Sequence, residues 1–224
     1  MIPTIDSPDL NDNRDYRYTG RENTNRPEHE LIVSWVPQGA TVIDLGCGDG
    51  SLLALLKARK NVSGIGIDRS PSGVQQAAQK GLKVIEGAID VPLSGFNDDQ
   101  FDVAICNATI HMVMYPEVLL REMKRLAPMQ IISFPNFGFY KNRLDLLFAG
   151  RVPRPHLFGY SWYSTGHIHP LSIKDFQQLV RDVGNLRIVQ QESADQTRGI
   201  KRFLGRMVPT LFWTLCVFRL ERTA

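Results

Sequence analysis

The chain has 224 residues, of which 43% are hydrophobic and 22% are charged, and its formal net charge is +3. This composition is typical of a globular protein, and the length suits one core of α/β type. The charge is too small to argue for nucleic-acid binding, and no run of about 18 apolar residues predicts a membrane span. The N-terminus lacks a secretory signal pattern, so we expect a cytoplasmic protein. The cysteines have no metal-like spacing, which favours free buried thiols at Cys47, Cys106 and Cys216.

Strand-like and helix-like segments alternate through the first two thirds of the chain. Helices are predicted at 26–36, 50–60, 70–81 and 115–127, and strands at 41–45, 61–68, 82–87, 101–108 and 129–136. Such alternation is typical of βαβ units, which build a parallel sheet with helices on both faces. Ligands bind such a sheet at the carboxyl ends of its strands, so functional residues are expected there.

Residues 135–170 interrupt this alternation with a segment rich in aromatic residues, arginine, proline and glycine. A segment of this length between core elements is more often functional than neutral, so we predict a lid or a wall of an acceptor site. A helix capped by Ser172 follows, and strands at 185–192 and 210–222 are predicted to form an antiparallel pair at the sheet edge.

The two ends of the chain and one basic cluster complete the organisation. Residues 1–26 are polar and predict a flexible arm, which leaves residues 27–224 as a single domain. A basic cluster near the predicted lid suits either a solvated face or an acidic partner; it comprises Lys141, Arg143, Arg151 and Arg154. Residues 198–208 place apolar side chains on one helical face, a pattern that suits a membrane, a partner or the chain's own domain; they are Ile200, Phe203, Leu204 and Met207.

The segment VIDLGCGDGS, residues 42–51, places carboxylates beside a glycine loop at the end of the first predicted strand. In a dinucleotide-binding loop a pyrophosphate contacts a helix N-terminus, and the third glycine of that motif would fall at Ser51. Asp44 and Asp49 would repel a diphosphate, which disfavours a dinucleotide oxidoreductase. The second strand ends at Asp68, where an acidic residue typically accepts hydrogen bonds from ribose hydroxyls. A ligand with a cationic group and a ribose satisfies both conditions, and S-adenosylmethionine has both.

The segments VIDLGCGDG, GIGID and FDVAICNA resemble the successive motifs of class I S-adenosylmethionine-dependent methyltransferases, with matching spacing over residues 41–134. The resemblance implies a Rossmann-like α/β fold with a mostly parallel seven-stranded sheet and helices on both faces. It implies that Asp44 lies near the methionine amino group and that Asp68 holds the ribose. Gly46 and Gly48 would let the backbone approach the cofactor. The remaining cofactor-binding candidates are Cys47, Arg69, Ile89 and Asn107.

One position departs from the pattern of that family. After the third strand the family usually has an Asp that contacts the adenine amino group, and here Ala88 takes its place. Ile89 is available to pack on the adenine, and Asp90 either substitutes for the missing carboxylate or does not. The loss of one such hydrogen bond would weaken binding by ~1 kcal/mol, which is roughly fivefold in affinity.

Longer segments resemble a narrower family. NRPEHELIVSWVPQGATVIDLGCGDGSLLALL, SFPNFGFYKNRL and WYSTGHIHPLSIKDF are similar to the MetW family of methionine-biosynthesis proteins, over about residues 26–191. Members of this family have a methyltransferase-like fold and are linked to the homoserine acyltransferase step. The resemblance implies a homoserine acyltransferase as a partner.

Methyl transfer from a sulfonium depends on the in-line placement of the acceptor more than on acid–base catalysis. His111, which follows the fourth strand, is a candidate base where the acceptor must lose a proton, and its alternative role is packing against the sheet. The acceptor-side candidates are Tyr160, Tyr163, His167 and His169. No metal site is predicted, because the histidine pair at 167 and 169 has no third ligand nearby in sequence.

Two functions therefore remain open. The first is a methyltransferase that acts on a small-molecule acceptor, which the commonest use of the fold favours. The second is a non-catalytic, MetW-like partner of a homoserine acyltransferase, which Ala88 favours. The two differ in whether S-adenosylhomocysteine is formed when a suitable acceptor is present.

Overall fold

The computed structural model describes residues 26–153, 168–195 and 200–223. Within these residues the strands are β1 Thr41–Leu45, β2 Ser63–Asp68, β3 Lys83–Glu86, β4 Val103–Asn107, β5 Met129–Pro135, β6 Leu186–Ser193 and β7 Leu215–Arg222. The helices are α1 Pro27–Trp35, α2 Ser51–Lys60, α3 Pro71–Gln79, α4 Pro116–Leu126, α5 Tyr140–Ala149, α6 Ile173–Val183, α7 Ile200–Met207 and α8 Pro209–Phe212. A 3₁₀ turn, Ile110–Met112, follows β4. The predicted N-terminal arm, apart from its last residue, lies outside the described residues.

One sheet contains all seven strands in the order β3-β2-β1-β4-β5-β7-β6. The first five strands in this order are parallel, whereas β7 is antiparallel to both β5 and β6. The predicted mostly parallel sheet and its antiparallel pair at the edge are confirmed. Because β1 has β2 on one side and β4 on the other, the strand order reverses between β1 and β4. The carboxyl ends of these two strands therefore flank the crevice in which such sheets bind ligands.

Helices cover both faces of the sheet because the strands alternate their apolar side chains between two cores. On one face, Ile32 of α1 and Leu53 of α2 pack against Val42 of β1. On the other face, Leu120 of α4 and Phe176 of α6 belong to the second core. β4 is buried along its whole length, as its apolar sequence predicts.

Local capping explains where the helices begin. Ser70 caps α3 by accepting a hydrogen bond from the Gly73 N–H, and Pro71 occupies the first turn. Ser172 and Asp175 form a capping box at the start of α6, which confirms the predicted cap.

No helix in the described part of the chain is both long and apolar enough to cross a bilayer. The three cysteines are buried and free, as expected.

Two predictions of secondary structure need correction. The predicted strand at 210–222 begins as the short helix α8, because Pro209 opens a helical turn that the Asn136 side chain holds by donating to the carbonyls of Thr210 and Trp213. The segment at 135–170 contains the helix α5, which the sequence analysis did not predict. At the start of the predicted 210–222 strand, a short apolar run fits a helix and a strand equally well, so its neighbours in space decide.

A phenylalanine cluster in the larger core offers a test of stability. The Phe134 ring lies 4.9 Å from the Phe176 ring and 5.5 Å from the Phe218 ring, measured between ring centroids. We expect Phe134→Ala to lower the free energy of unfolding by about 3 to 5 kcal/mol in urea denaturation, because it leaves a cavity. The exposed Phe148 provides the control, and Phe148→Ala should change stability by less than about 0.5 kcal/mol. Equal losses in the two variants would contradict this description of the core.

Candidate functional site

The loop between β1 and α2 turns sharply at its glycines. Gly46, Gly48 and Gly50 all have positive φ angles, of 82°, 54° and 72°. The N–H groups of Gly46 and Cys47 both donate to the carbonyl of Ile67, at 2.8 and 3.1 Å, which fixes the loop to the end of β2. A Cβ atom on Gly46 would lie 2.5 Å from the Thr109 side chain, so only glycine fits at this position.

Asp68 connects this loop to the next helix. One carboxylate oxygen accepts a hydrogen bond from the Gly48 N–H at 2.7 Å, and the other accepts from the Ser70 N–H at 2.8 Å. Burial raises the pKa of Asp68, and these backbone hydrogen bonds act in the opposite direction. Each carboxylate oxygen has a second lone pair, so Asp68 can still accept hydrogen bonds from the hydroxyls of a ligand.

Asp44 is the most unusual group of the site. Its side chain is 1% exposed, and its Oδ1 atom has no hydrogen-bond partner among the described residues. Burial, and then the charge of Asp68, raise the pKa of Asp44 to about 7, whereas Arg26 acts in the opposite direction. A buried polar atom without a partner costs free energy, and such atoms in native proteins usually face a ligand or a water molecule. Asp44 therefore fits a ligand that brings a cation or a hydrogen-bond donor.

Asp49 has a structural role in the same loop. Its carboxylate accepts hydrogen bonds from the Ser51 hydroxyl at 2.7 Å and from the Lys80 ammonium at 2.8 Å. These partners lower the pKa of Asp49, although its partial burial opposes them. Because Lys80 neutralises Asp49, the charge of Asp49 contributes little to the electrostatic argument against a diphosphate in this loop.

A cavity opens beside the glycine loop and Asp68. Its walls come from the loop, the ends of β2 and β3 and the 3₁₀ turn, and they comprise Gly46, Asp68, Arg69, Gly87, Ala88, Ile89, Asp90, Thr109, Met112, Val113, Met114 and Ile168. The structure thus brings four of the predicted cofactor-binding residues to one cavity: Gly46, Asp68, Arg69 and Ile89. Cys47 and Gly48 belong to the adjoining loop, and Asp44 lies near the end of β1, just before that loop; none of the three is part of the cavity wall.

Asn107 takes a different place. It ends β4, its side chain is buried, and its Oδ1 atom accepts a hydrogen bond from the Ser133 hydroxyl of β5. Its amide therefore links two neighbouring strands and is not part of the cavity wall. Thr109, two residues further on, lines the cavity instead.

The corner of the cavity around Ala88 is held by Asp90. The Oδ2 atom of Asp90 accepts hydrogen bonds from the N–H groups of Met114 and Tyr115, at 2.9 and 3.2 Å. This contact fixes the segment that leads into α4. Asp90 also lines the cavity, but one of its oxygens is already committed to the backbone.

His111 is buried beside the cavity. It is 1% exposed, its ring centroid lies 6.3 Å from that of Phe137, and its ring is not part of the cavity wall. Its carbonyl accepts hydrogen bonds from the N–H groups of Ile168 and His169, at 3.1 and 3.0 Å. These two hydrogen bonds hold Ile168 in the wall of the cavity. The other predicted acceptor-side residues, Tyr160, Tyr163 and His167, lie outside the described residues.

The sequence analysis missed part of the cavity wall, namely Thr109, Met112, Val113, Met114 and Ile168. The first four follow the carboxyl end of β4, where ligand-binding residues are expected in such sheets, so their position was a usable signal. Ile168 carried no such signal, because its place depends on the backbone pairing with His111.

The sequence profile of a family described as "Methionine biosynthesis protein MetW" matches residues 26–220. The chain belongs to the MetW family. A bifunctional methionine biosynthesis protein MetXA/MetW from Rhodopirellula baltica is 34% identical over 174 residues, which cover 74% of this chain. The match covers only 27% of that relative's length.

Solved structures share the fold at low sequence identity. A chain from the complex of the Haloferax volcanii Trm112 methyltransferase activator with a methyltransferase has a TM-score of 0.63 and 20% identity, covering 91% of this chain and 92% of that one. Geranyl diphosphate C-methyltransferase from Streptomyces coelicolor, solved with S-adenosyl-L-homocysteine, has a TM-score of 0.60 and 12% identity, covering 88% and 78%. The Rossmann-like methyltransferase fold of MetW proteins is therefore established for this chain.

The raised pKa of Asp44 predicts a pH dependence of stability. Between about pH 4 and pH 7 the folded protein keeps a proton on Asp44 that the unfolded chain releases, so the free energy of unfolding falls as pH rises. Asn resembles the protonated carboxyl, and Asp44→Asn should therefore remove this part of the slope. From about pH 4.5 to about pH 6.5 the variant should gain roughly 2 kcal/mol relative to the wild type in urea unfolding.

Other groups titrate in the same range, so the comparison between the two proteins is what isolates Asp44. Burial, for example, lowers the pKa of His29 to about 4, which makes stability rise with pH in both proteins. If the free energy of unfolding depends on pH in the same way for the wild type and Asp44→Asn, the folded protein does not hold Asp44 protonated.

Proposed function

We propose that this chain binds S-adenosylmethionine between the ends of β1, β2 and β4 and transfers its methyl group to a small-molecule acceptor. The observation that carries the proposal is the buried Asp44 oxygen without a partner. It lies at the end of β1, next to the glycine loop that is bound to Asp68. Asp44 requires a hydrogen-bond donor or a cation, which the methionine amino group of this cofactor would supply. Asp68 can accept hydrogen bonds from hydroxyls, which its ribose would supply.

In this proposal each part of the site would have its own role. Asp68 would accept hydrogen bonds from the ribose hydroxyls, and Asp44 would face the methionine amino group. The backbone from Gly46 to Gly48 would lie against the cofactor, because glycine allows close approach. Ala88 and Ile89 would form the apolar surface for the adenine. At the position of Ala88, class I methyltransferases usually have a carboxylate.

When bound, S-adenosylmethionine supplies a methyl group attached to a positively charged sulfur. The chain's own contribution is to hold the acceptor in line and to exclude water from the cavity. Ile168, held by the His111 carbonyl, adds an apolar side chain to one wall of the cavity, although this side chain is itself 40% exposed. His111 remains a candidate base, but its ring would have to reach the cavity from its buried place beside Phe137.

A second candidate function is that of a partner protein for a homoserine acyltransferase. The relative from Rhodopirellula baltica supports it, because its name combines MetXA with MetW and the match accounts for about a quarter of its length. In this function the cofactor site would act as a sensor or would have no catalytic use. Formation of S-adenosylhomocysteine with a suitable acceptor supports the first function, and its absence with every acceptor supports the second.

Calorimetric titration with S-adenosylmethionine and S-adenosylhomocysteine tests the cofactor site. We expect Asp68→Asn to weaken binding at least about tenfold and Asp68→Ala to weaken it further, because hydrogen bonds to a charged group contribute about 1.5 to 3 kcal/mol each. Asp102 gives a matched control, since its carboxylate accepts from the Thr41 backbone and hydroxyl at the opposite end of β1. Asp102→Asn should bind the cofactor as the wild type does.

Thermal unfolding of each variant checks that the glycine loop is intact, because Asp68 also holds Gly48 and Ser70. No binding by a folded wild-type protein would refute the proposed cofactor site. Binding that is unchanged in both Asp68 variants would place the ribose elsewhere.

A further inference from the structure

The helix α5 is attached to the rest of the molecule mainly through polar contacts at its beginning. Asn142, its only buried residue, donates a hydrogen bond to the Phe137 carbonyl at 3.1 Å. Arg143 donates to the Gly138 carbonyl at 2.7 Å and to the Thr210 hydroxyl at 3.2 Å. The second half of the helix is exposed to solvent except for the half-buried Asp145.

The apolar face of α5 points outward. Tyr140, Leu144, Leu147 and Phe148 are spaced so that they share one face of the helix, which we call the α5 stripe, and Asn142 lies on the opposite face. All four are exposed, with Leu147 at 73% and Phe148 at 79%. An amphipathic helix in a globular protein normally turns such a face towards the core. Here the helix buries Asn142 and exposes all four residues of the stripe, an arrangement that suits a face covered by another surface.

The first residue of the stripe has an aromatic contact with another helix. The Tyr140 ring is 5.9 Å from the Phe212 ring of α8. In α7, which precedes α8 in sequence, Phe203 and Met207 are more than half exposed, so a second helix also exposes large apolar side chains.

Basic side chains border the stripe. Lys141 and Arg143 lie on its two sides along the helix, and Arg151 follows the end of the helix; all three are exposed. An apolar centre with a charged rim is the usual composition of a protein–protein interface. The charges of this rim select a partner whose matching surface has carboxylates around an apolar patch.

We propose that the α5 stripe is the docking surface for a homoserine acyltransferase, which contacts it with an apolar patch bordered by carboxylates. This inference rests on the second candidate function given above. In the relative from Rhodopirellula baltica, a MetW part and a MetXA part share one chain, which keeps the two within contact range. For two separate chains, an exposed apolar stripe with a basic rim is a surface that could replace this covalent link.

The test measures binding between this chain and the homoserine acyltransferase of the same organism, by calorimetry and by size-exclusion chromatography. Leu147→Asp places a charge within the stripe, at a side chain that is 73% exposed, and Phe148→Asp is a second variant at the same face. Leu146→Asp is the matched control, because Leu146 is also an exposed leucine of α5, at 52%, but lies off the stripe. We expect the two stripe variants to bind the acyltransferase at least about tenfold more weakly. The control should stay within about twofold of the wild type, and all should bind S-adenosylmethionine equally.

Each other outcome overturns the inference in a recognisable way. Stripe variants that bind the acyltransferase like the wild type would place the interface elsewhere. A wild type that does not bind the acyltransferase would overturn both this surface and the second candidate function, while the titrations of the Asp68 variants still decide the cofactor site. A loss of self-association, or of binding to vesicles of phosphatidylglycerol and phosphatidylcholine, without an effect on the acyltransferase would assign the stripe to a second copy or to a membrane. A lower melting temperature of both stripe variants alone would assign it to the chain's own residues 154–167.

Discussion

The burial of the Asp44 carboxyl at the end of β1 is the constraint on which the candidate site depends. β1 lies in the middle of the sheet, so a side chain at its carboxyl end has little access to water. A carboxyl in that position either remains protonated or needs a cationic partner, and Asp68 nearby makes the charged form less favourable still. A ligand with a positive charge relieves both effects. In the proposed cofactor site, the glycine loop and Asp68 would bring a closely approaching backbone and a ribose-binding carboxylate to the same place.

The main elements of the fold and the centre of the site could be predicted from sequence because they depend on local patterns. Buried strands appear as apolar runs, and the residues after them must lie at one edge of a parallel sheet, which places Asp44 and Asp68 together. The role of Asn107 could not be predicted, because its bond to Ser133 depends on the register between β4 and β5. The same holds for Lys80, whose bond to Asp49 joins the end of α3 to the glycine loop.

Periodicity predicts which residues share a face but not which way that face points. The apolar spacing along α5 is that of a core helix, yet the buried Asn142 shows that the helix is turned the other way. The short helix α8 shows a related limit, since its apolar residues fit a strand until Asn136 and Pro209 are taken into account. In both cases tertiary contacts decide which way the helix faces or whether a helix forms at all.

The cofactor site and the α5 stripe are separate features, and either can exist without the other. A fold of this type hosts many functions, so the methyltransferase-like architecture of the MetW family does not by itself establish methyl transfer. In the two proposals, Asp44 and Asp68 serve to bind the cofactor, whereas the stripe serves to bind a protein partner.

Proton exchange on binding tests the role of Asp44 most directly. Calorimetric titration of S-adenosylmethionine at about pH 6, in buffers with different ionisation enthalpies, gives the number of protons released. If a cationic ligand binds beside a carboxyl that is protonated in the free protein, close to one proton should be released by the wild type and none by Asp44→Asn. Cofactor binding by the wild type without proton release would contradict the assignment of Asp44 to the cationic end of the ligand.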